Sequence, residues 1–226
     1  RHRYVRRGRG LHHRACTTSL VPVVGLDYVF LTNAGVVLKE ELKMDDDQIS
    51  AARQRGELAK CLVVRCHASK SCFGHVIPCK GLDEDGIVVD MMLQDLEWPG
   101  HTRVIIKADN EPAIQALARR AIELATIELK DMDQVGKEDP VAYDSMTNGG
   151  TEIGVSLLRG LFRTLQLCLE PRIDRQVPVD RPVVAWLMEH TSLLLNAVVR
   201  GSDGLTAWKR VRGRSFAQPL VGFGEK

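Results

Sequence analysis

The chain has 226 residues, with 31 lysines and arginines against 29 aspartates and glutamates, and it is 44% hydrophobic and 5% aromatic. This composition is typical of a folded domain and excludes a disordered chain, a collagen and a small disulfide-stabilised protein. A chain of this length can bury one main core, whereas two full-size domains would be cramped. We find neither a run of roughly 18 apolar residues nor a secretory pattern, so we expect a soluble intracellular protein.

Charge is unevenly distributed along the chain despite the net charge of +2. Residues 1–14 carry six arginines and no acid, which is typical of a phosphate-binding segment. A second basic cluster lies near the other end and consists of Arg200, Lys209, Arg210, Arg212 and Arg214, with Asp203 as its one acid. A solvated surface explains each charged run equally well. Residues 40–57 are rich in acids and predict an exposed loop or a frayed helix.

Hydrophobic periodicity predicts strands that precede helices along the chain. In chain order, the predicted strands cover residues 20–31, 59–65, 72–79 and 102–108, and the predicted helices cover 83–97, the segment that opens at 109–112, 151–169 and 183–199. Pro112 suits the first turn of its helix. This order favours an α/β layered fold in which the last two helices pack on the sheet. We expect Trp98, Trp186 and Trp208 to anchor packing.

The six cysteines are too few and too unevenly spaced for a secreted disulfide framework, so we expect reduced thiols. Cys61, Cys66, Cys72 and Cys79 fall on two adjacent predicted strands, where their spacing would point them to opposite faces. We therefore expect core thiols rather than a zinc site.

Three carboxylates fall where an α/β fold would bring them together. Asp27 lies within the first apolar strand, Asp109 directly follows the strand at 102–108, and Glu152 falls in the first turn of a later helix. Burying an unpaired carboxylate is costly, so Asp27 must be paired, protonated, placed at a sheet edge or bound to a cation. Asp109 and Glu152 also have a simpler explanation as helix N-terminal acids.

The sequence around each acid resembles a signature of the integrase core of retroviruses and retrotransposons. The matching stretches are Leu26-Asp27-Tyr28, residues 104–112 and Thr147-Asn148-Gly149-Gly150-Thr151-Glu152, and the resemblance covers roughly residues 18 to 213. It implies an RNase H-like fold, with a mixed β-sheet flanked by helices on both faces. It also implies that Asp27, Asp109 and Glu152 are the catalytic, metal-binding residues of a DDE site.

The resemblance implies metal-dependent DNA 3′-end processing and strand transfer for a retrotransposon-type mobile element. Clustered carboxylates suit Mg²⁺ or Mn²⁺, and two such ions activate the attacking oxygen and stabilise the departing one. The implied partners are element ends and target DNA, within a homo-oligomer that is nuclear if the element is eukaryotic. One alternative is an RNase H-fold nuclease that does not join DNA. The other is a catalytically decayed or host-adopted DNA-binding copy.

The helix that follows Glu152 carries a polar stripe at residues 152, 156, 159, 163 and 166. Arg159 and Arg163 in this stripe could hold DNA phosphates, although a plain amphipathic surface helix has the same pattern. Asn148 and Gly149 form a turn that DNA could approach closely, and Lys107 is a further phosphate candidate. The opposite side of the helix would face the core through Ile153, Leu157, Leu158, Leu161, Phe162, Leu165 and Leu169.

We divide the chain into a basic N-terminal segment at 1–17, a catalytic core at 18–213 and the start of a C-terminal extension at 214–226. The first segment could be the remnant of an upstream zinc module, but the sequence lacks a C-x-x-C and predicts no complete zinc site. The chain begins at Arg1, so we expect a piece of a longer protein. An excess of residues before Glu152 is assigned to a loop at 131–144, where Glu138 and Asp144 are alternative third acids.

Overall fold

The computed structural model describes residues 21–138 and 149–225, and it shows one mixed sheet between layers of helices. The elements in chain order are β1 (Val23–Thr32), β2 (Gly35–Val37), α1 (Lys39–Leu42), α2 (Asp46–Gln54), β3 (Ala59–Cys66), β4 (Cys72–Ile77), α3 (Ile87–Glu97), β5 (Arg103–Ala108), α4 (Pro112–Glu128), β6 (Gln134–Glu138), α5 (Gly149–Ile173), α6 (Pro182–Ala197) and α7 (Ala207–Arg212). No helix within the described ranges combines the length and apolarity that a membrane span requires.

The sheet has the strand order β4-β3-β1-β5-β6, with β2 paired to the end of β1. Strands β1, β3 and β4 pair antiparallel, whereas β5 runs parallel to both β1 and β6. Parallel neighbours need a crossover connection, and α4 provides it between β5 and β6. The mixed α/β sheet expected from the sequence is therefore confirmed.

Two hydrophobic cores cover the two faces of the sheet because side chains alternate along each strand. On one face, Leu26 of β1 belongs to the core that α3 and α4 complete. On the other face, Val29 of β1 packs in the core formed with α5 and α6. Asp27 alternates with Leu26, and therefore it lies on the α5 side of the sheet. Cys61, Cys66 and Cys72 are buried in these cores, which confirms the prediction of core thiols for them, while Cys79 is half-buried.

Helix α5 lies unusually close to the sheet because glycines stand at the points of contact. A Cβ atom on Gly25 of β1 would overlap Thr151 Oγ1 at the start of α5. A Cβ atom on Gly74 of β4 would lie 2.5 Å from Leu158 Cδ1. Larger side chains at these positions would push the helix away from the sheet. The glycines thus fix the height of α5 above β1.

Three parts of the sequence-based description are wrong. The segment at 131–144 was expected to be a loop, but its described part contains the edge strand β6. This strand is mostly exposed, so it lacks the apolar run that identifies a buried strand. Ile153 and Leu157 were expected to face the core, but they are 50% and 38% exposed, and Val155 is buried instead. Trp186 was expected to anchor packing, but it is 68% exposed.

The other two tryptophans do pack as predicted. The Trp98 ring lies edge-on to Phe73 and to Trp208, with ring centroids 5.5 and 6.1 Å apart. Phe216, which follows α7, contacts Trp208 at 4.8 Å between ring centroids. This aromatic cluster joins the sheet edge, the end of α3 and the residues that follow α7.

Candidate active site

The strand register places Asp27 beside Asp109. In the parallel pair of β1 and β5, Gly25 is opposite Lys107 and Leu26 is opposite Ala108. The next position along each strand is Asp27 on β1 and Asp109 directly after β5. Because paired strands lie about 4.8 Å apart, the two carboxylates arise from adjacent backbone positions.

Glu152 reaches the same region because the first turn of α5 is anchored on β1. Thr151 is buried against Gly25, and its Oγ1 lies 3.2 Å from His67 Nε2, within hydrogen-bonding distance. Gly150 also contacts the His67 ring so closely that a Cβ atom there would lie 2.6 Å from its Cε1. These contacts fix the start of the helix, while Glu152 itself remains exposed.

The three carboxylates line one cavity of about 500 Å³, which Lys39, Lys80 and Arg159 also line. Within it, the pKa of Asp27 is raised to about 7, chiefly because the carboxyl is buried and secondly because Asp109 adds a like charge. A hydrogen bond with the Tyr28 backbone partly offsets this shift in the pKa of Asp27. Removing the repulsion between Asp27 and Asp109 would favour the charged form of the Asp27 carboxyl.

Sequence analysis assigned no role to Lys80 or Glu111, which also line this cavity. The Lys80 ammonium group donates to both oxygens of Glu111, at 2.7 and 2.9 Å. It also lies 5.0 Å from the centre of the Tyr28 ring. Glu111 belongs to the matching stretch at 104–112, but only the tertiary structure brings Lys80 beside it.

The three carboxylates are the type of ligand that a divalent metal prefers, but their side chains are not grouped closely around one point. Among residues 21–138 and 149–225, no three histidine, cysteine, aspartate or glutamate side chains are grouped so that they could hold a metal ion. Even so, the shared cavity offers only hard oxygen donors from its acids, and Asp27 and Asp109 repel each other. A hard divalent cation would relieve that repulsion. Asp27, Asp109 and Glu152 are therefore the residues that would hold Mg²⁺ or Mn²⁺.

The predicted polar stripe of α5 is only partly open. Arg159 lines the acid cavity, where its Nη1 donates to Glu41 Oε1 at 2.7 Å. Further along, Arg163 Nη1 donates to the Ala34 carbonyl in the turn between β1 and β2. Gln166 is buried against the same turn, whereas Arg163 stays exposed to solvent beside it.

The remaining predicted phosphate contacts have different surroundings. Lys107 is only 4% exposed, and its ammonium group donates to Glu138 at 3.1 Å. A phosphate could bind Lys107 only after the ion pair with Glu138 opens. The same ion pair holds Glu138, the alternative third acid. Gly149 begins α5, and within the part of the chain that the structure describes, no atom beyond its own turn lies within 4 Å of where its Cβ would be. Asn148, Asp144 and the basic segment at 1–17 lie outside the described residues.

Solved structures of retroviral proteins are similar to this chain. A chain of the simian T-cell lymphotropic virus intasome in complex with PP2A regulatory subunit B56 gamma matches with a TM-score of 0.55 and 13% identity, over 89% of this chain and 58% of that one. The fold is that of a retroviral integrase catalytic core. The catalytic core domain of BIV integrase also matches, with a TM-score of 0.49 and 14% identity, over 84% of this chain and 93% of that one.

These comparisons concern the fold alone, because the identities are low. The intasome match, with its TM-score of 0.55, and the mixed sheet between helical layers agree with the RNase H-like α/β fold that was expected from the sequence. No protein-family model and no curated protein matches the chain.

Proposed function

We propose that the chain is an integrase-like DNA polynucleotidyl transferase of a retrotransposon-type mobile element, which trims DNA 3′ ends and joins them to target DNA. One observation carries this proposal: acids from β1, from the end of β5 and from the first turn of α5 line a single cavity on an integrase-type fold. The order and placement of Asp27, Asp109 and Glu152 match the DDE signature that the sequence resembles.

Each residue of the cavity would have a defined role. Asp27 and Asp109 would hold metal together because their carboxylates arise from adjacent positions on paired strands. Glu152 would complete the set from the opposite wall. Bound Mg²⁺ or Mn²⁺ would activate a water or a DNA 3′-hydroxyl and stabilise the oxygen that leaves phosphorus. Arg159 would exchange Glu41 for a DNA phosphate beside the reacting centre.

The partners and the assembly follow from the same proposal. The chain would bind element ends and target DNA, and it would act as a homo-oligomer in order to hold two ends together. The neighbour described above is an intasome, which agrees with an assembled state. A eukaryotic element would require the protein to enter the nucleus.

The test is a DNA processing and joining assay with the full chain, a pool of duplexes with varied ends, and Mg²⁺ or Mn²⁺. We expect shortened strands and joined products, both recovered by sequencing. Asp109→Asn should abolish both products, whereas Asp90→Asn on the opposite helical layer removes the same charge and should retain them. Active Asp109→Asn would refute the site. Cutting without joining would indicate the nuclease alternative, and DNA binding without any product would indicate the decayed copy.

The metal can be tested without activity. In chelator, Asp27 and Asp109 repel each other, so Asp109→Asn should melt at the same temperature as the parent or higher. Added Mg²⁺ should raise the melting temperature of the parent more than that of the variant, because a ligand that binds only the folded state stabilises it. If Mg²⁺ affects both proteins equally, Asp109 is not a ligand.

A further inference from the structure

A second cavity, of about 280 Å³, lies on the other side of the first turns of α5. We call it the basic cavity because four cationic side chains and one carboxylate line it: Arg65, Lys70, Arg200, Arg210 and Asp203. His67 lies in its wall, together with Gly150 and Ile153 of α5. Asp203 is engaged by Arg210, so the other three cations are not balanced by it.

Arg65 is the deepest of these cations. It extends from β3 and is only 7% exposed. Among residues 21–138 and 149–225, no carboxylate forms an ion pair with it, and its charge acts on the neighbouring Cys72 thiol. A Cβ atom on Gly154 would lie 2.9 Å from Arg65 Cδ, so the glycine makes room for this side chain. A buried guanidinium without a carboxylate is costly for stability and needs an explanation.

The other groups around the cavity experience the same positive field. The pKa of Lys70 is lowered by burial and then by the charges of Arg65 and Arg210. Burial likewise lowers the pKa of His67 to about 4, with further contributions from Lys70 and Arg65. The fold thus holds like charges together in the absence of a ligand, and an anion would relieve their repulsion.

We propose that the basic cavity binds a phosphate of a nucleic-acid strand that crosses the start of α5 from the acid cavity. The two cavities share this helix: Glu152 and Ser156 line the acid cavity, while Gly150 and Ile153 line the basic one. A helix is about 10–12 Å wide, so one extended strand that crosses α5 could contact both cavities.

The chemistry of the cavity favours a phosphate in particular. A guanidinium presents a planar fork of donors that matches phosphate oxygens, and burial in the protein holds the Arg65 fork in place. The N-terminal end of α5, a helix of 25 residues, adds positive dipole on the same side. Lys70 and Arg200 are exposed residues that line the cavity, so they are accessible to an anion that enters it. The nucleic-acid ligand rests on the proposed function, whereas the phosphate chemistry does not.

The first test is DNA binding measured by fluorescence anisotropy in chelator, at several salt concentrations. The variant Lys70→Gln/Arg200→Gln changes two exposed residues of the opening, and Arg119→Gln/Arg120→Gln removes the same charge from α4 on the opposite face of the sheet. We expect the cavity variant to lower the slope of log affinity against log salt by about two, and the α4 variant to change it less. Equal slopes in the two variants would overturn the proposal.

The second test follows His67 by NMR with inorganic phosphate and with a short DNA duplex. A phosphate in the cavity should raise the pKa of His67, because it neutralises part of the surrounding positive charge. A response to inorganic phosphate without any response to DNA would overturn the nucleic-acid assignment. Arg65→Lys keeps the charge but removes the fork, so it should bind DNA less tightly than the parent while remaining folded.

Failure of this proposal can be distinguished from failure of the proposed function. Joined DNA products from the parent, together with equal salt slopes in the two charge variants, would refute the basic cavity alone. The absence of any processing, together with a selective loss of DNA binding in the cavity variant, would refute the transferase and leave the phosphate site standing.

Discussion

The contact between Gly25 and Thr151 should make the active site sensitive to a single methyl group. In Gly25→Ala, the new Cβ would overlap Thr151 Oγ1 and would lie 3.0 Å from Thr151 Cβ and 3.1 Å from His67 Nε2. Carbon atoms pack best at about 3.5–4.0 Å, so the start of α5 must retreat by at least about 0.5 Å. Overpacking of this kind costs about 1–3 kcal/mol in the free energy of unfolding.

For a chain of this size, each kcal/mol shifts the melting temperature by about 2–4 °C, so we expect a decrease of about 2–12 °C. Activity should fall further, because Glu152 follows Thr151 and moves with it. A displacement of about 1 Å at a reacting centre costs about 10²-fold in rate. Calorimetry and the joining assay would therefore report two losses from one methyl group, and the loss of joining should be the larger.

Two further variants separate this contact from a general effect of alanine. Gly160→Ala lies on the same helix with no atom within 4 Å of the new Cβ, so it should stabilise the protein by about 0.5–1 kcal/mol. Thr151→Ala removes the overlapping oxygen, so the double variant with Gly25→Ala should recover part of the loss and show coupling above about 0.5 kcal/mol. The reasoning is refuted if Gly25→Ala melts like the parent, or if the two changes simply add.

Other variants test charge in the fold and in the site. The pKa of Asp27 is about 7 in the folded protein and 3.8 in the unfolded chain. In chelator, its protonation therefore stabilises the fold fully below pH 3.8, and this contribution is lost as the pH rises through about 7. Over this pH range, the melting temperature of the parent should fall more than that of Asp27→Asn. Replacing Arg159 and Arg163 with alanine should weaken binding to all DNA sequences about equally, and selective loss on one duplex would indicate base readout. His75→Leu should lower the free energy of unfolding, measured in urea, by about 3–5 kcal/mol. The reason is that it leaves the buried Asp95 without its partner, which lies 2.8 Å away at His75 Nε2. Replacing both residues with leucine should recover most of the lost stability.

The elements that could be predicted are those whose own residues show a clear pattern of buried apolar positions. Strand β1 and the hairpin of β3 and β4 are apolar runs, and α5 and α6 have helical spacing, so all of them were identified. Strand β6 is exposed and gains its partners only from β5, a contact that its own five residues do not reveal. Helix α7 is only six residues long and was also missed. Short or exposed elements depend on neighbours that are distant in sequence.

The candidate site divides in the same way. Its three acids were proposed because each stands in a short signature, and all three line one cavity in the structure. The pairing of Lys80 with Glu111 and the engagement of Arg163 by the β1–β2 turn were not predictable, because each joins segments with no common motif. Arg65 was missed for a related reason: its charge is ordinary in sequence, and only its burial makes it informative.

The position of Asp27 depends on register more than on the local sequence. A slip of one residue between β1 and β5 would turn Asp27 to the other face of the sheet, into the core of α3 and α4. Two features oppose that slip. Leu26 would leave a buried site, and a side chain other than glycine would meet Thr151. Strand β1 therefore disfavours the shifted register because Gly25 is small on the α5 face and Leu26 is large on the opposite face. The same glycine that admits α5 thus helps to keep the acid on the face where α5 supplies its partner.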